Sequence, residues 1–255
     1  MTFVSTKRGQ FTYFSLLVGN DSWRGMSVLD FGGNVGNILR DPTSSIDEER
    51  YWCLDVDRES IAKGKGAFPK AHWILYDRYC FFFNPLGSPT LAIPYLEQKF
   101  DYIVAYSVFT NTSRADMIDL EVQLEAMLAP GGVLAFTFID PYHYSWPGEY
   151  EGSNLQWRLD LEVERRNVSS KESQSIVSRV RGANWFTLVN ATDLYVETER
   201  IGPYPAELQK TYHVFYTSEY MQKLFPHAEV LPPVNGEMQH CCVVRRALNV
   251  DSALG

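Results

Sequence analysis

The run Ser27-Val28-Leu29-Asp30-Phe31-Gly32-Gly33-Asn34-Val35-Gly36-Asn37 constrains the fold of this chain more than any other segment. A short apolar stretch ends in an acid, a glycine-spaced turn follows at once, and Ile38-Leu39-Arg40 comes next, which is the pattern of a strand, a tight loop and a helix start. Glycines suit such a loop because the backbone takes positive φ there, and because a side chain would hold a ligand off the main chain. The helix start adds unpaired N–H groups, which makes this a nucleotide-side pocket. Pro42 keeps the helix short, since the residue before a proline is pushed out of helical geometry.

The flanking residues decide among ligands. A second apolar run, Tyr51-Trp52-Cys53-Leu54, ends in Asp55, and a carboxylate at the tip of the second strand can accept from both hydroxyls of an adenosine ribose. A dinucleotide calls for Gly-x-Gly-x-x-Gly, whereas here the order is Gly32, Asn34, Gly36, which favours a ligand without phosphates. Phe100-Asp101-Tyr102-Ile103-Val104-Ala105-Tyr106 supplies another strand, and Leu128 to Phe136 supplies the next, entered through the turn Pro130-Gly131-Gly132. This ordered set resembles the class I S-adenosylmethionine-dependent methyltransferase family, of the small-molecule type, over roughly positions 27 to 140 with a weaker match at the C-terminal end.

The resemblance implies S-adenosyl-L-methionine as cofactor. Its methionine part falls to Asp30, Gly32, Gly33, Asn34 and Gly36, its ribose to Asp55 with Val56 alongside, and its adenine to Asp77 and Arg78, with Tyr106 and Ser107 after the fourth strand completing the set. Asn34 stands where the family has glycine. Asparagine tolerates the left-handed region better than other residues with a side chain, so the loop is expected to be intact.

The resemblance also implies a doubly wound, Rossmann-like α/β sheet of seven strands, mostly parallel with an antiparallel last strand, and a cap inserted after the fifth strand. The expected divisions are 1–26 as an N-terminal helical cap, 27–140 as the cofactor-binding core, 141–212 as a substrate-recognition insertion and 213–255 as the end of the core sheet. Phe11, Tyr13, Phe14, Leu16 and Leu17 form an apolar stripe suited to a helix across the open end of the sheet, covering either core surface or the acceptor. Asp57 reads as the N-cap of the helix after the second strand. The third strand is expected over Ala71–Asp77, a helix over Ala115–Leu128, the fifth strand over Val133–Ile139, a helix over Glu219–Phe225, and two last strands around the Asn235-Gly236 turn. Inside the insertion, Leu155, Trp157, Leu159, Leu161 and Val163 alternate like a strand, yet Leu155, Leu159 and Val163 also fit a helix face, which helix-forming residues and the Ser153-Asn154 cap favour; Trp185–Val189 with Leu194–Glu197 reads as a hairpin.

With 45% apolar residues and no apolar run long enough to span a bilayer, the chain reads as soluble and globular. The start, Met-Thr-Phe-Val-Ser-Thr-Lys-Arg, has no long apolar stretch before a cleavage site, so no secretory signal is expected. Cys53, Cys80, Cys241 and Cys242 lack metal-ligand spacing and read as reduced thiols in a cytoplasmic protein. A net charge of −8 disfavours a nucleic-acid backbone as partner, because such binding relies on clustered Lys and Arg. The expected partner is a small-molecule acceptor, and neither nucleic acid nor membrane; oligomeric state is not legible.

Methyl transfer from a sulfonium is an in-line displacement, so the protein mainly positions the nucleophile, excludes water and, where needed, removes a proton; no metal is required. Tyr13, Phe14, Phe109, Asn111, Tyr142, Tyr144 and Trp146 are the expected acceptor-binding residues, as aromatic walls suit a flat acceptor and attract a sulfonium. His143 is read as general base, as a group orienting the acceptor or as a surface or packing histidine, with His213 as the competing base and His72 as structural. Relatives that methylate nucleic-acid bases carry Asp/Asn-Pro-Pro-aromatic after the fourth strand. Here that place reads Tyr106-Ser107-Val108-Phe109, which favours small-molecule acceptors and O-methylation over N- or C-methylation. A nicotinamide-dependent oxidoreductase and a non-catalytic binding subunit on the same fold stay open as alternatives.

Overall fold

Residues 9–80, 82–143, 152–165, 168–189, 193–198, 212–234 and 237–248 are described by the structure, a computed structural model. Strand β1, Val28–Phe31, is buried at all four positions, as expected of a strand covered on both faces. It pairs in parallel with β2, Tyr51–Asp55, and with β4, Phe100–Ala105, so it sits where the strand order reverses. β3, His72–Leu75, flanks β2, and β5, Leu128–Phe138, flanks β4. The closing strands are β9, Glu229–Leu231, and β10, His240–Arg245, with β10 antiparallel to β5. The resulting seven-stranded order is β3-β2-β1-β4-β5-β10-β9, the Rossmann-like arrangement expected from the sequence. The Pro130-Gly131-Gly132 turn lies within β5, where the register with β4 shifts.

The core helices start at side-chain caps. Asp57 accepts from the Glu59 and Ser60 amides to open α2, Arg58–Ala67, as the sequence indicated, and Ser113 opens α3, Arg114–Ala126. Helix α1, Gln10–Val18, does not cross the open end of the sheet. Phe11, Tyr13, Phe14 and Leu17 are buried with Val104, Val133, Ala135, Cys241 and Val243, so the helix lies on one face over β4, β5 and β10.

The insertion after β5 holds α4, Asn154–Glu164, and α5, Ser170–Val180, which opens with a capping box between Ser169 and Glu172. Strands β6, Trp185–Val189, and β7, Asp193–Val196, form the expected hairpin. A third strand, β8, Tyr212–Tyr216, pairs antiparallel with β6, so residues that the sequence placed at the start of the C-terminal core belong to a second sheet. That sheet alternates: Phe186, Leu188 and Phe215 pack with Leu155, Leu159 and Ile176, while Trp185, Val189, Val214 and Tyr216 join the main core. Two backbone bonds seat it on the core, Val214 N–H to Thr110 O at 2.9 Å and Tyr216 N–H to Ile139 O at 3.1 Å. Strand β8 is therefore seated just past the carboxyl ends of β4 and β5. Helix α6, Ser218–Leu224, returns the chain to β9. Among the described residues no helix is long and apolar enough to cross a membrane.

Candidate active site

The carboxyl ends of β1, β2 and β4 converge at the switch point of the sheet, the place where open α/β sheets bind ligands. Gly32 leaves β1 at φ +76°, with its N–H bonded to Leu54 O at 2.8 Å; a Cβ there would overlap the Val108 side chain. Asn34 sits in the left-handed region at φ 54°, as its place in the loop predicts, and its own Oδ1 accepts the Val35 N–H at 2.8 Å. Val35 to Arg40 form hydrogen-bonded turns instead of the expected helix, with Gly36 N–H on Gly33 O and Arg40 N–H on Gly36 O. The loop amides of Gly32, Asn34, Val35 and Gly36 are thus taken up in holding the turn, and no regular helix begins at Val35.

Asp55 holds this loop in place. One of its oxygens accepts the Asn34 N–H at 2.7 Å and the other accepts the Asp57 N–H at 2.8 Å, which leaves acceptor capacity on both for a pair of hydroxyls. Burial pushes the Asp55 carboxyl above its usual range, and the backbone donors pull it part of the way back. Val56 follows, half-buried against the core. Beneath the loop Asp30 is buried and accepts from the Tyr51 hydroxyl at 2.7 Å. Burial raises its pKa to about 7, the Tyr51 bond opposing and Asp55 adding to the shift. Asp30 thus supports the loop from below. Asn34→Gly should keep near-normal ligand affinity, whereas Asn34→Val should cost about 1–3 kcal/mol through strain at positive φ. Titration calorimetry with S-adenosylhomocysteine and thermal unfolding check both; equal behaviour of the two variants would rule out a strained loop.

The other transferred cofactor positions fare unequally. Arg78 is buried and committed to α3, paired with Asp116 and, at 3.3 Å, with Asp119, and it also donates to Leu91 O at 2.8 Å. Its guanidinium is a structural tie, whereas Asp77 is exposed and accepts from Asn84 Nδ2 at 2.9 Å. Ser107 has φ 61° and donates its N–H to Thr137 Oγ1 at 2.7 Å, while Tyr106 donates its hydroxyl to Glu237 at 2.8 Å. Burial, then Glu237, raises the Tyr106 pKa.

Three acceptor assignments give way to packing. Phe109 has no exposed surface and stands edge-on to Phe136 in the main core. Tyr13 and Phe14 are likewise buried, edge-on to Tyr106, with the Tyr13 hydroxyl on Gln239 O at 2.8 Å. Asn111 keeps its place at the end of β4, donating to Ser107 O at 3.1 Å. Tyr142 lies beyond β5 and donates to Val180 O at 2.5 Å, tying that segment to α5. Tyr144 and Trp146 lie outside the described residues, as does the Asn235-Gly236 turn.

The two candidate bases occupy different settings. His143 is half-buried past the end of β5, its ring edge-on to His240 at 4.6 Å, and Asp140 beside them accepts from Tyr142 and Ser218 amides. Burial lowers the pKa of His240, Asp140 opposing and His143 adding. His213 sits on β8, its pKa lowered to about 3 by burial and by Arg158 and Arg165. An imidazole so averse to a proton is a weak base at neutral pH. His72 is exposed on β3, stacked on Trp52.

Sequence reasoning missed Glu237, Gln239 and His240. They lead into β10, and Gln239 accepts from Thr137 Oγ1 at 2.6 Å. The signal was available: an antiparallel last strand brings its first residues beside the carboxyl end of β5, so the polar run before Cys241-Cys242-Val243-Val244 belongs at the site rim.

Residues 29–134 match a family model described as a methyltransferase domain. Among solved structures, the glycopeptide N-methyltransferase MtfA complexed with sinefungin is 12% identical with a TM-score of 0.52, covering 96% of this chain and 95% of that one. Its complex with S-adenosyl-L-methionine gives 12% identity, a TM-score of 0.52 and 96% coverage of both chains. At these identities the likeness concerns the fold. No curated protein sequence matches this chain.

Proposed function

We propose that the chain, whose residues 29–134 match a methyltransferase domain, is a class I enzyme that transfers the methyl group of S-adenosyl-L-methionine to a small-molecule acceptor, oxygen favoured over nitrogen or carbon. The observation that carries this is Asp55, whose carboxylate closes the positive-φ loop and keeps acceptor capacity for two hydroxyls. That arrangement suits a nucleoside ribose, and a loop without the dinucleotide spacing suits a ligand lacking phosphates.

The bound cofactor supplies an electrophilic methyl on a positively charged sulfur. The chain's own residues hold and enclose it. Gly32, Gly33, Asn34 and Gly36 shape the loop against which the amino-acid end would lie, Asp55 would orient the ribose, and Asp77 would stand at the adenine end. Asn111 lies at the rim of β4 on the acceptor side, Tyr142 at the rim of β5, and His143 takes the acceptor's proton. In this reading the insertion after β5 is the cap, while α1 backs one face of the sheet; the bonds from β8 to Thr110 and Ile139 would keep it by the strand ends, where it would exclude water. Such a roof favours a small acceptor, and the −8 net charge disfavours nucleic acid. The four unpaired thiols are in keeping with a cytoplasmic location.

The test is calorimetric titration with S-adenosylhomocysteine and with NADH, followed by mass spectrometry of co-purified ligands and transfer of labelled methyl to the compound found. Binding of S-adenosylhomocysteine alone, with methyl transfer, is the expected result. Binding of NADH alone would make the chain an oxidoreductase, and binding of neither would make it a non-catalytic subunit.

A further inference from the structure

Where α3 meets the turn between α6 and β9, a second group of ionisable side chains stands apart from the transfer site. Glu121 and Glu125 lie one turn apart on α3, and His227 reaches them from the turn. Glu121 is 2% exposed, and among the described residues no Lys or Arg pairs with it. The His227 Nε2 atom is 3.1 Å from Glu121 Oε1 and 3.6 Å from Glu125 Oε2, and the three donor atoms lie within 4.8 Å of one another.

These separations carry the argument. A gap of 3.6 Å is too long for a hydrogen bond, so the imidazole is not simply bridging two carboxylates. Ligands held tetrahedrally at about 2.1 Å from zinc stand about 3.4 Å apart, between the two separations found here. We propose that Glu121, Glu125 and His227 bind one divalent cation of the zinc class, with water completing its coordination. One imidazole and two carboxylates suit such a borderline metal, whereas calcium and magnesium take oxygen ligands. Two carboxylates one turn apart converge on the same point, so a cation between them would relieve an unfavourable pairing of acids. The ion would clasp α3 to the α6–β9 turn, a structural role independent of methyl transfer.

Tag-free protein, dialysed against a chelator, should bind one equivalent of zinc chloride with micromolar or tighter affinity by calorimetry. Thermal unfolding should shift upward by about 5–10 °C at a hundredfold excess of zinc over Kd, and magnesium should give no shift. His227→Ala and Glu125→Gln alter partly exposed groups, so both should fold. Each should weaken zinc binding at least tenfold while leaving S-adenosylhomocysteine affinity unchanged. Zinc binding at parental strength in either variant would place the metal elsewhere, and no binding at millimolar zinc would leave His227 as a plain partner of Glu121; either result overturns the proposal.

Discussion

Replacing Asp55 with alanine should lower S-adenosylhomocysteine affinity about a hundredfold. Two ribose hydroxyls lose a charged acceptor worth roughly 1.5–3 kcal/mol, and a factor of ten corresponds to about 1.4 kcal/mol. The structure adds a second loss, because the same carboxylate accepts the Asn34 and Asp57 amides. Without it the loop amide at Asn34 has no acceptor and the positive-φ turn loses its anchor. Asp55→Asn keeps one carbonyl oxygen and should fall between the parent and alanine. Since burial holds the Asp55 carboxyl above its ordinary range, its charge is lost at a higher pH on acidification than an exposed aspartate's would be. Cofactor affinity should therefore weaken on acidification in the parent and not in the alanine variant. Titration calorimetry across pH on folded protein decides the matter. Parental affinity in Asp55→Ala would put the ribose elsewhere and remove the main support for the cofactor assignment.

Much of the core was legible because it depends on local pattern. Tyr102–Ala105 is a continuous apolar run and Val28–Phe31 is interrupted only by the buried Asp30, the mark of buried parallel strands, and glycines with Asn34 announced the turn after β1. Asp57 capped its helix through contacts two and three residues away. What sequence missed depended on distant partners. Arg78 looked like a ligand-facing group until Asp116 and Asp119, far along the chain, claimed it. Phe109 follows a strand that ends at the site, yet Phe136 draws it inward. Tyr212–Tyr216 could not be assigned to the second sheet without its partner β6. Helix α5 was a different case, since Ser169 and Glu172 spell out a capping box that the sequence reading passed over. Nor did Ile38-Leu39-Arg40 become a helix, the turns after Gly33 ending before Pro42 without a regular run.

His143→Ala should lower turnover by about 10² to 10⁴, the range for losing a general base, while cofactor affinity stays within a few-fold of the parent. His143 stands past the end of β5, against the lead-in to β10, and its ring rests on His240. His240 is buried and kept from taking a proton, so it does not set a second positive charge against a protonated His143. The rival base His213 is held neutral by burial and by Arg158 and Arg165, which makes it a poor proton acceptor near neutrality. His213→Ala should accordingly leave turnover within a few-fold of the parent. The remaining rate of His143→Ala should rise with pH, because solvent hydroxide then does what the imidazole did. His143→Gln separates two roles: it keeps a hydrogen-bonding group but not a base, so recovery of most of the rate would make His143 an orienting group. If His143→Ala runs within a few-fold of the parent at every pH, proximity and alignment alone account for the transfer, and the acceptor reaches the methyl group with its proton already gone.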